Sequence, residues 1–355
     1  MEFPRPALPL AALSRTSGFV VGALTAALPV AMYAADASST QTPSIFDPRS
    51  TQTTEILAYS TLVLGICAVI FTVVTALIAY AVIRYRARPG DDGREPAQIY
   101  GSNPLELAWT VIPVVVVVIL ALVTARTIVD LQIDERPEGW MPVTAIGHQW
   151  WWEFHYPEFG FTTANELHIP LSDSTSGRPT FLTLESADVI HSFWIPRLAG
   201  KMDVIPNRTN HAWIAPLETG TYVGQCAEYC GTQHANMLLR VVVQTPEEFE
   251  RWARAQQRPA VDDPKVADGR ATFLKTACIN CHTVRGTVAT GRFGPDLTHL
   301  MSRATIGAGV ATNTPANLRA WVQSPDHLKM GARMPAMGLG ETDVDGVVDY
   351  LITLH

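Results

Sequence analysis

Charged side chains are scarce in this sequence. Asp, Glu, Lys and Arg make up only 17% of its 355 residues, whereas hydrophobic residues make up 47%. So few charges indicate a membrane protein with soluble parts, and the length predicts two or three domains. Basic residues are not in excess either, because 26 Lys and Arg stand against 33 Asp and Glu. The resulting net charge of −7 argues against nucleic acid as a partner.

Cysteine is also rare, and the positions of the cysteines exclude a disulfide-stabilised fold. Cys226 and Cys230 belong to one motif, Cys278 and Cys281 belong to another, and Cys67 lies alone in an apolar run. No cysteine is therefore left for a framework of structural disulfide bonds.

Residues 1–37 have the organisation of a secretory signal peptide. Arg5 and Arg15 form a basic region, an apolar stretch follows, and the segment ends in the cleavage-like sequence Ala35-Asp36-Ala37. The apolar stretch is too short for a comfortable membrane span. An uncleaved tail is the alternative interpretation.

Two long hydrophobic runs predict a transmembrane hairpin within residues 38–130. The runs 56–83 and 107–125 contain no charged residue, and a helix needs roughly 20 apolar residues to cross the hydrocarbon layer. Four arginines place the connecting loop in the cytoplasm by the positive-inside rule: Arg84, Arg86, Arg88 and Arg94. The chain after Arg126 is then expected on the outer side.

Short runs punctuated by Pro, Gly, Asn and Asp follow the second hydrophobic run and predict a β-sandwich or a small barrel. They cover residues 143–156, 167–169, 180–184, 189–195, 211–215, 221–225 and 237–243. If 143–156 is one extended strand, Trp150 and Trp152 face one way and Trp151 the other.

A capping box of Thr245 and Glu248 predicts a helix over 246–256, and a linker is expected at 258–263.

A cluster of metal-binding residue types lies near the end of this β region. Cys226, Cys230 and His234 recur at every fourth position, Met237 follows them, and His191 is the best placed upstream donor. Cys, His and Met are ligands that copper and zinc select. The cluster therefore predicts a metal site.

The choice of metal depends mainly on Met237. A closed zinc site of two Cys and two His fits the spacing, but a thioether is a poor zinc ligand and a common weak ligand of electron-transfer copper. Two thiolates can bridge two ions, so a pair of copper ions is favoured. A disulfide between Cys226 and Cys230 is the remaining alternative, and it would leave His234 and Met237 unexplained.

Cys278-Ile-Asn-Cys281-His282 has the C-x-x-C-H pattern of covalent haem c attachment, in which the histidine ligates iron. A thioredoxin-like pair is the alternative, but it does not need the adjacent histidine. Three methionines compete for the second axial position, with two histidines as further candidates: Met330, Met334, Met337, His299 and His327. Capping and periodicity signals between 264 and 355 predict a small all-α domain.

The metal cluster, together with His191 and the Lys201–Pro206 segment, resembles the dinuclear copper A domain of cytochrome c oxidase subunit II. The resemblance implies a cupredoxin-like Greek-key fold over 131–257. It implies that five side chains bind copper: His191, Cys226, Cys230, His234 and Met237. It also implies that Glu228 binds copper through its backbone carbonyl. It further implies that the carboxylate of Glu228 helps to bind magnesium at a subunit interface.

Other segments carry further parts of the resemblance. The His148-Gln149-Trp150 sequence matches the motif whose tryptophan is the electron-entry residue, here Trp150. Arg333-Met334-Pro335 resembles the ligand loop of class I cytochromes c and favours Met334 as the second axial ligand, with Pro295 offering its carbonyl to His282. Glu106 either stabilises the start of a helix or, by the resemblance, lies at the entrance of a proton path.

These features predict the electron-transfer subunit of a haem-copper terminal oxidase with a cytochrome c domain at 264–355. The resemblance implies that a cytochrome c or a quinol-oxidising complex supplies electrons to haem c, which passes them through copper A to subunit I, where dioxygen is reduced. Subunit I, other oxidase subunits and membrane lipid are the expected partners. A bacterial-type plasma membrane is the expected location, with the copper and haem domains on the periplasmic side.

Two other functions remain open. A nitric oxide reductase can use a similar copper A subunit, although the two spans and Glu106 favour the oxygen reductase. A membrane-anchored copper-binding protein without turnover would not need the haem motif. A quinol-oxidising subunit is disfavoured because that branch lacks the thiolates found here as Cys226 and Cys230.

Overall fold

The computed structural model describes residues 43–90, 93, 95, 97–133, 135–172 and 178–355. The predicted signal peptide at 1–37 lies outside these residues. The described chain contains two long apolar helices, a two-sheet β domain and a helical domain. The predicted fold class is confirmed.

Helices α1 (Thr51–Arg84) and α2 (Asn103–Leu131) are long and apolar enough to cross a membrane by length and composition. Both extend beyond the predicted spans. Helix α1 begins earlier because the side chain of Ser50 accepts a hydrogen bond from the Thr53 backbone N–H in a capping box. The two helices contact each other through Tyr59 and Thr124, whose hydroxyl oxygens lie 2.5 Å apart.

The first turn of α1 is attached directly to the β domain. Ser50 is fully buried, and its hydroxyl donates to the carbonyl of Leu198 at 2.6 Å. Thr53 donates to the carbonyl of Arg197 at 2.9 Å. The hydrogen bonds leave no flexible connection between this helix and the β domain.

Ten strands form the β domain, and a helix follows them. The elements are β1 (Met141–His148), β2 (Trp151–Tyr156), β3 (Phe161–Ala164), β4 (Glu166–Pro170), β5 (Thr180–Ser186), β6 (His191–Ile195), β7 (Ala199–Val204), β8 (Asn210–Ile214), β9 (Gly220–Cys226), β10 (Leu238–Gln244) and α3 (Pro246–Gln256). One sheet has the order β3-β2-β1-β5-β8 and the other β4-β10-β9-β6-β7. The pairs β1/β5 and β4/β10 are parallel, and the remaining pairs are antiparallel.

The core lies between the two sheets because alternate residues of each strand point inward. Strand β1 alternates strictly between buried and half-buried residues. Trp152, Phe154 and Phe193 are among the largest buried side chains, and the rings of Trp152 and Phe193 meet edge to face at 5.3 Å. This rigid core holds the loops at the sandwich edge in place.

The single strand expected over 143–156 is wrong. The structure divides this run into β1 and β2, and Trp150 lies in the turn between them. Trp152 is fully buried, whereas the ring of Trp151 is stacked on that of His148 at 4.2 Å. The turn frees Trp150 from the alternation of the strands.

The helical domain contains α4 (Ala267–Lys275), α5 (Cys278–Cys281), a short hairpin of β11 (Thr305–Ile306) and β12 (Ala311–Thr312), α6 (Pro315–Gln323), α7 (Pro325–Leu328) and α8 (Glu341–Leu351). Phe273 of α4 packs on Tyr350 of α8, with the ring centroids 5.5 Å apart. The predicted linker at 258–263 is packed against this domain. The Arg258 carbonyl lies 2.9 Å from Nε2 of His299, and the Ala260 N–H donates to the Arg285 carbonyl at 2.9 Å.

The buried imidazole of His168 predicts an acid-sensitive β domain. Burial lowers the pKa of His168 to about 4, and its Nδ1 lies 3.0 Å from the side-chain oxygen of Gln244. Because the folded-state pKa lies below the unfolded value near 6.5, protonation favours unfolding. His168 should therefore cost about 1.4 kcal/mol of stability for each pH unit below 6.5, down to about pH 4.

Denaturant unfolding of the unmodified chain and of His168→Gln between pH 7 and pH 4.5 tests this prediction. The difference in stability between the two should change with pH. The exposed His327 provides the control variant His327→Gln. Parallel pH profiles for the unmodified chain and His168→Gln would contradict the prediction.

Candidate copper and haem centres

The loop that carries the predicted copper ligands joins two paired strands. Strand β9 ends at Cys226, a short 3-10 helix covers His234–Asn236, and β10 begins at Leu238. Leu238 pairs with Gln225, and the Cys226 N–H donates to the Met237 carbonyl at 3.0 Å. The sheet therefore holds both ends of the loop and brings its donors together.

The two cysteine sulfurs lie at the centre of the donor set. Sγ of Cys226 and Sγ of Cys230 are 3.8 Å apart, and both residues are free thiols and buried. Nδ1 of His191 lies 3.9 Å from the Cys226 sulfur, whereas Nδ1 of His234 lies 3.7 Å from the Cys230 sulfur. Each imidazole therefore accompanies a different sulfur.

Two weaker donors complete this arrangement, one beside each sulfur. Sδ of Met237 lies 3.8 Å from the Cys230 sulfur, and the backbone carbonyl of Glu228 lies 3.2 Å from the Cys226 sulfur. Met237 is fully buried, which is consistent with an inward-facing thioether. The structure thus brings together all six predicted donor residues.

This distribution fits two metal ions better than one. Within the described residues, the donor atoms of His191, Cys226 and Cys230 all lie within 4.8 Å of one another, and His234 is not part of that group. One tetrahedral zinc ion needs all four donors at 2.0–2.3 Å. Two ions that share the sulfurs could each take one imidazole. Soft thiolate and thioether donors favour copper.

His191 is held by a carboxylate that sequence analysis did not identify. Its Nε2 donates to Oδ1 of Asp188 at 2.8 Å, which leaves Nδ1 for a metal. Burial opposes protonation of His191, but its hydrogen bonds to Asp188 and Cys226 raise its pKa overall. The spacing of Asp188 and His191, three residues apart, was the signal available in the sequence.

The two thiols of the donor set are electrostatically unequal. The hydrogen bond between the two sulfurs lowers the pKa of Cys226, whereas the same bond and burial raise the pKa of Cys230. Cys226 is therefore the thiol that ionises more readily. A thiolate is the form that binds copper.

The magnesium site implied for Glu228 has no support in the structure. Its side chain is exposed. Among the described residues, the carboxylate of Glu228 belongs to no group of three or more side chains that could hold a metal ion. Only its backbone carbonyl belongs to the candidate copper centre. We do not propose a magnesium site.

A large cavity, formed mainly by the helical domain and closed on one side by the β domain, contains the haem-attachment residues. Its volume is about 840 Å³, within the range of small-molecule and cofactor sites. Cys278, Cys281, His282 and Met334 line it. The apolar part of the wall comes from the core of the helical domain and includes Phe273, Leu297, Leu300, Leu318, Trp321, Val347 and Leu351. An apolar, partly enclosed cavity next to both cysteines fits a covalently attached porphyrin.

His282 is oriented by the segment that follows it. Its Nδ1 donates to the Pro295 carbonyl at 2.7 Å, which leaves Nε2 for iron. Burial lowers the pKa of His282 and so favours the neutral, ligating form. A Cβ at Gly294 would lie 2.6 Å from Cε1 of His282, so the backbone passes directly over the ring.

Position separates the candidates for the second axial ligand. Met334 and Met337 line the cavity, whereas Met330 does not and is 69% exposed. His299 directs its two ring nitrogens at the carbonyls of His355 and Arg258, at 2.6 and 2.9 Å. His327, on α7, is exposed. Met334 therefore remains the preferred candidate, with Met337 as the alternative.

Trp150 lies between the candidate haem cavity and the candidate copper loop. It lines the haem-type cavity, and its Nε1 donates to the Cys230 carbonyl at 3.0 Å. Gln149 donates to the same carbonyl through Nε2 at 2.7 Å. Arg333, next to Met334, lies 5.8 Å from the Trp150 ring and donates to Oε1 of Gln149. The sequence motif identified Trp150 but not its contacts with Arg333.

Glu106 lies in the first turn of α2. Its Oε1 accepts a hydrogen bond from the Ser102 backbone N–H at 3.2 Å. This contact stabilises the helix start, so the local geometry supports the structural role. A role in proton uptake stays a prediction.

Comparisons with known proteins cover most of the chain. A family model described as the transmembrane domain of cytochrome c oxidase subunit II matches residues 29–126, and one described as its periplasmic domain matches 177–245. A cytochrome c model matches 266–355. Cytochrome c oxidase subunit 2 of Alkalihalophilus pseudofirmus is 36% identical over 316 residues, 87% of this chain and 90% of that protein.

The chain belongs to the cytochrome c oxidase subunit II family. Subunit 2 of Bacillus sp. PS3 is 33% identical and aligns over 76% of this chain and 80% of its own length. The crystal structure of the periplasmic domain of the Bradyrhizobium japonicum subunit II is 30% identical, with a TM-score of 0.32 over 34% of this chain and 96% of that one. This family member carries a membrane hairpin, a cupredoxin-like domain and a fused cytochrome c domain.

Gly147 should be necessary for the position of His191. A Cβ at Gly147 would lie 2.8 Å from Cδ2 of His191, so Gly147→Ala must displace the imidazole. Overpacking of this kind typically costs about 1–3 kcal/mol. We expect reduced copper content and an altered copper absorption spectrum in the purified variant.

Gly200→Ala is the matched control, because its Cβ would meet only Ile56, at an ordinary 3.6 Å. Copper content and spectrum should be unchanged in this variant. A normal copper spectrum in Gly147→Ala would mean that the imidazole is not held where the structure places it.

Replacement of Met334 should change the axial ligation of the haem. Met334→Ala removes the preferred thioether, so the haem should become high spin or take another ligand. Absorption spectroscopy of the oxidised and reduced chain measures this. Met330→Ala should leave the spectrum unchanged because Met330 lies outside the cavity. If Met334→Ala has a normal spectrum and Met337→Ala does not, Met337 is the ligand.

Proposed function

We propose that this chain is the electron-transfer subunit of a haem-copper terminal oxidase. It receives electrons at a haem c and carries them through a dinuclear copper A centre to the subunit that reduces dioxygen. The observation that supports this most directly is the position of Trp150, which lines the haem-type cavity and donates to the Cys230 carbonyl at 3.0 Å. One side chain therefore contacts both candidate redox sites.

The haem-binding part of the proposal rests on residues 264–355. Cys278 and Cys281 would attach the porphyrin, and His282 and Met334 would be its axial ligands. The Pro295 carbonyl keeps His282 in the tautomer that presents Nε2 to iron, since it accepts from Nδ1 at 2.7 Å. The apolar wall would surround the haem with a low-dielectric environment, which is one of the factors that set its redox potential.

The copper-binding part rests on the 131–257 domain. His191, Cys226, Cys230, His234 and Met237 would hold the ions through their side chains, and Glu228 through its backbone carbonyl. When bound, the haem and the copper pair each accept and release one electron. The strand pairing of β9 and β10 holds the donors before any metal arrives, so little reorganisation is needed.

The membrane hairpin of residues 38–130 would hold the copper domain at the outer surface of a bacterial plasma membrane. Hydrogen bonds from Ser50 and Thr53 join α1 to the β domain without a flexible linker. A copper domain fixed in this way could present its loop to a catalytic subunit in the same membrane. Dioxygen reduction would then take place in that partner, with an external cytochrome c or quinol-oxidising complex as the electron source.

The double variant Cys278→Ala, Cys281→Ala tests the relay, because either cysteine alone could still form one thioether bond to the haem. The variant should lose covalent haem but keep two copper ions per chain and the copper absorption, because the copper ligands lie in the other domain. Oxygen consumption driven by the external donor should fall at least about tenfold in the copurified complex, since electrons no longer enter through the haem.

Metal analysis, haem staining and oxygen-electrode measurements on the assembled complex give these values. Cys67→Ala, in the membrane helix α1, is the control and should leave all three unchanged. One copper ion per chain, or zinc, would disprove the dinuclear centre. Consumption of nitric oxide instead of oxygen would assign the chain to a nitric oxide reductase.

A further inference from the structure

Two buried charges cross the boundary between the copper and haem domains. Lys329, from the haem domain, is 4% exposed, and Glu166, from strand β4 of the copper domain, is also 4% exposed. Lysine and glutamate are almost never fully buried unless they are paired. Neither forms a salt bridge with an acidic or basic side chain among the ion pairs of the described residues.

Lys329 instead donates to backbone carbonyls of both domains. Its Nζ lies 2.8 Å from each of three oxygens, those of Trp150 and Asn236 in the copper domain and of Gly307 in the haem domain. An ammonium group has three N–H donors, so these three acceptors satisfy it completely. The interface removes this amine from water, and this burial lowers the pKa of Lys329 to about 7.

Glu166 makes the complementary contact at the other side of the interface. Its Oε1 accepts from the backbone N–H groups of Ala304 and Thr305 at 2.9 and 3.1 Å, and the Thr305 hydroxyl lies at 3.4 Å. Arg240 of β10 donates to the same hydroxyl at 2.7 Å. The carboxylate therefore binds amides of the haem domain, as Lys329 binds carbonyls of the copper domain.

Lys329 acts on backbone groups at or next to the candidate redox residues. The Trp150 carbonyl belongs to the residue that contacts both centres, and Asn236 immediately precedes Met237. The 304–308 segment also bonds the copper domain through its backbone, since Leu238 N–H donates to the Ala308 carbonyl at 3.1 Å. Movement of the haem domain would separate Lys329 and Glu166 from these partners, and leaving such buried groups unsatisfied is costly.

We propose that Lys329 and Glu166 are positioning residues that hold the haem domain permanently docked over Trp150. The inference rests on the proposed electron relay, because docking sets the distance between the two cofactors. It also implies that the haem domain does not swing between an external donor and the copper centre. An external donor must then reach the haem from the side that the copper domain leaves open.

Lys329→Met tests the proposal in the copper- and haem-loaded full chain within its complex. Methionine keeps much of the length and removes all three donors. We expect haem-to-copper electron transfer, measured after rapid photochemical reduction of the haem, to slow by at least about tenfold, because small misplacements of reacting groups have effects of this size or larger. Hydrogen exchange of the amides in 304–308 should accelerate, while haem and copper absorption remain normal.

Lys275→Met is the matched control, because Lys275 is an exposed lysine of the same domain. It should change neither the transfer rate nor the amide exchange. An unchanged transfer rate and unchanged exchange in Lys329→Met would overturn the proposal. If Lys329→Met loses a cofactor, Glu166→Gln serves as the second variant, with the same two measurements and the same opposing outcomes.

The two readouts separate this inference from the proposed function. If the unmodified chain transfers no electrons from haem to copper, the relay is wrong. Amide exchange in 304–308 then decides by itself whether Lys329 and Glu166 hold the domains together. Faster exchange in the variants supports the docking role, and equal exchange overturns it.

Discussion

The carbonyl oxygen of Cys230 joins the copper loop to the turn that borders the haem cavity. It accepts hydrogen bonds from Nε2 of Gln149 and Nε1 of Trp150, at 2.7 and 3.0 Å. The turn that supplies these donors also forms part of the wall of the cavity around Cys281 and His282. Any change in the position of this turn would alter the copper loop and the haem cavity together. The strand expected over 143–156 is interrupted at this turn.

Buried polar groups are costly unless each one finds a partner. In this chain the partners are mostly backbone atoms: Ser50 bonds the Leu198 carbonyl, Lys329 bonds three carbonyls, and Glu166 bonds two amides. Backbone groups are fixed by the strands and helices that contain them. Contacts of this kind therefore determine the orientation of one element on another, which general apolar packing does not.

Local rules explain what could be predicted from the sequence. Hydrophobic runs predicted α1 and α2, and turn residues predicted most of the strands. The spacing of Cys226, Cys230 and His234 identified them as candidate ligands. Each of these signals depends only on residues that are close in the sequence. The linker expected at 258–263 is instead packed against the helical domain. Its contacts with His299 and Arg285 come from distant parts of the chain, and a composition signal cannot reveal them.

The sequence alone determined the chemistry: two thiols, two imidazoles and a thioether for copper, and a C-x-x-C-H motif for haem c. These are properties of residue types at short separations. The tertiary structure alone decided which imidazole accompanies which sulfur, which methionines reach the haem cavity, and where the haem domain lies. Arg333, Lys329 and Glu166 act through partners far away in the chain. Only folding brings such groups within hydrogen-bonding distance, so their roles depend on the assembled sheets and helices.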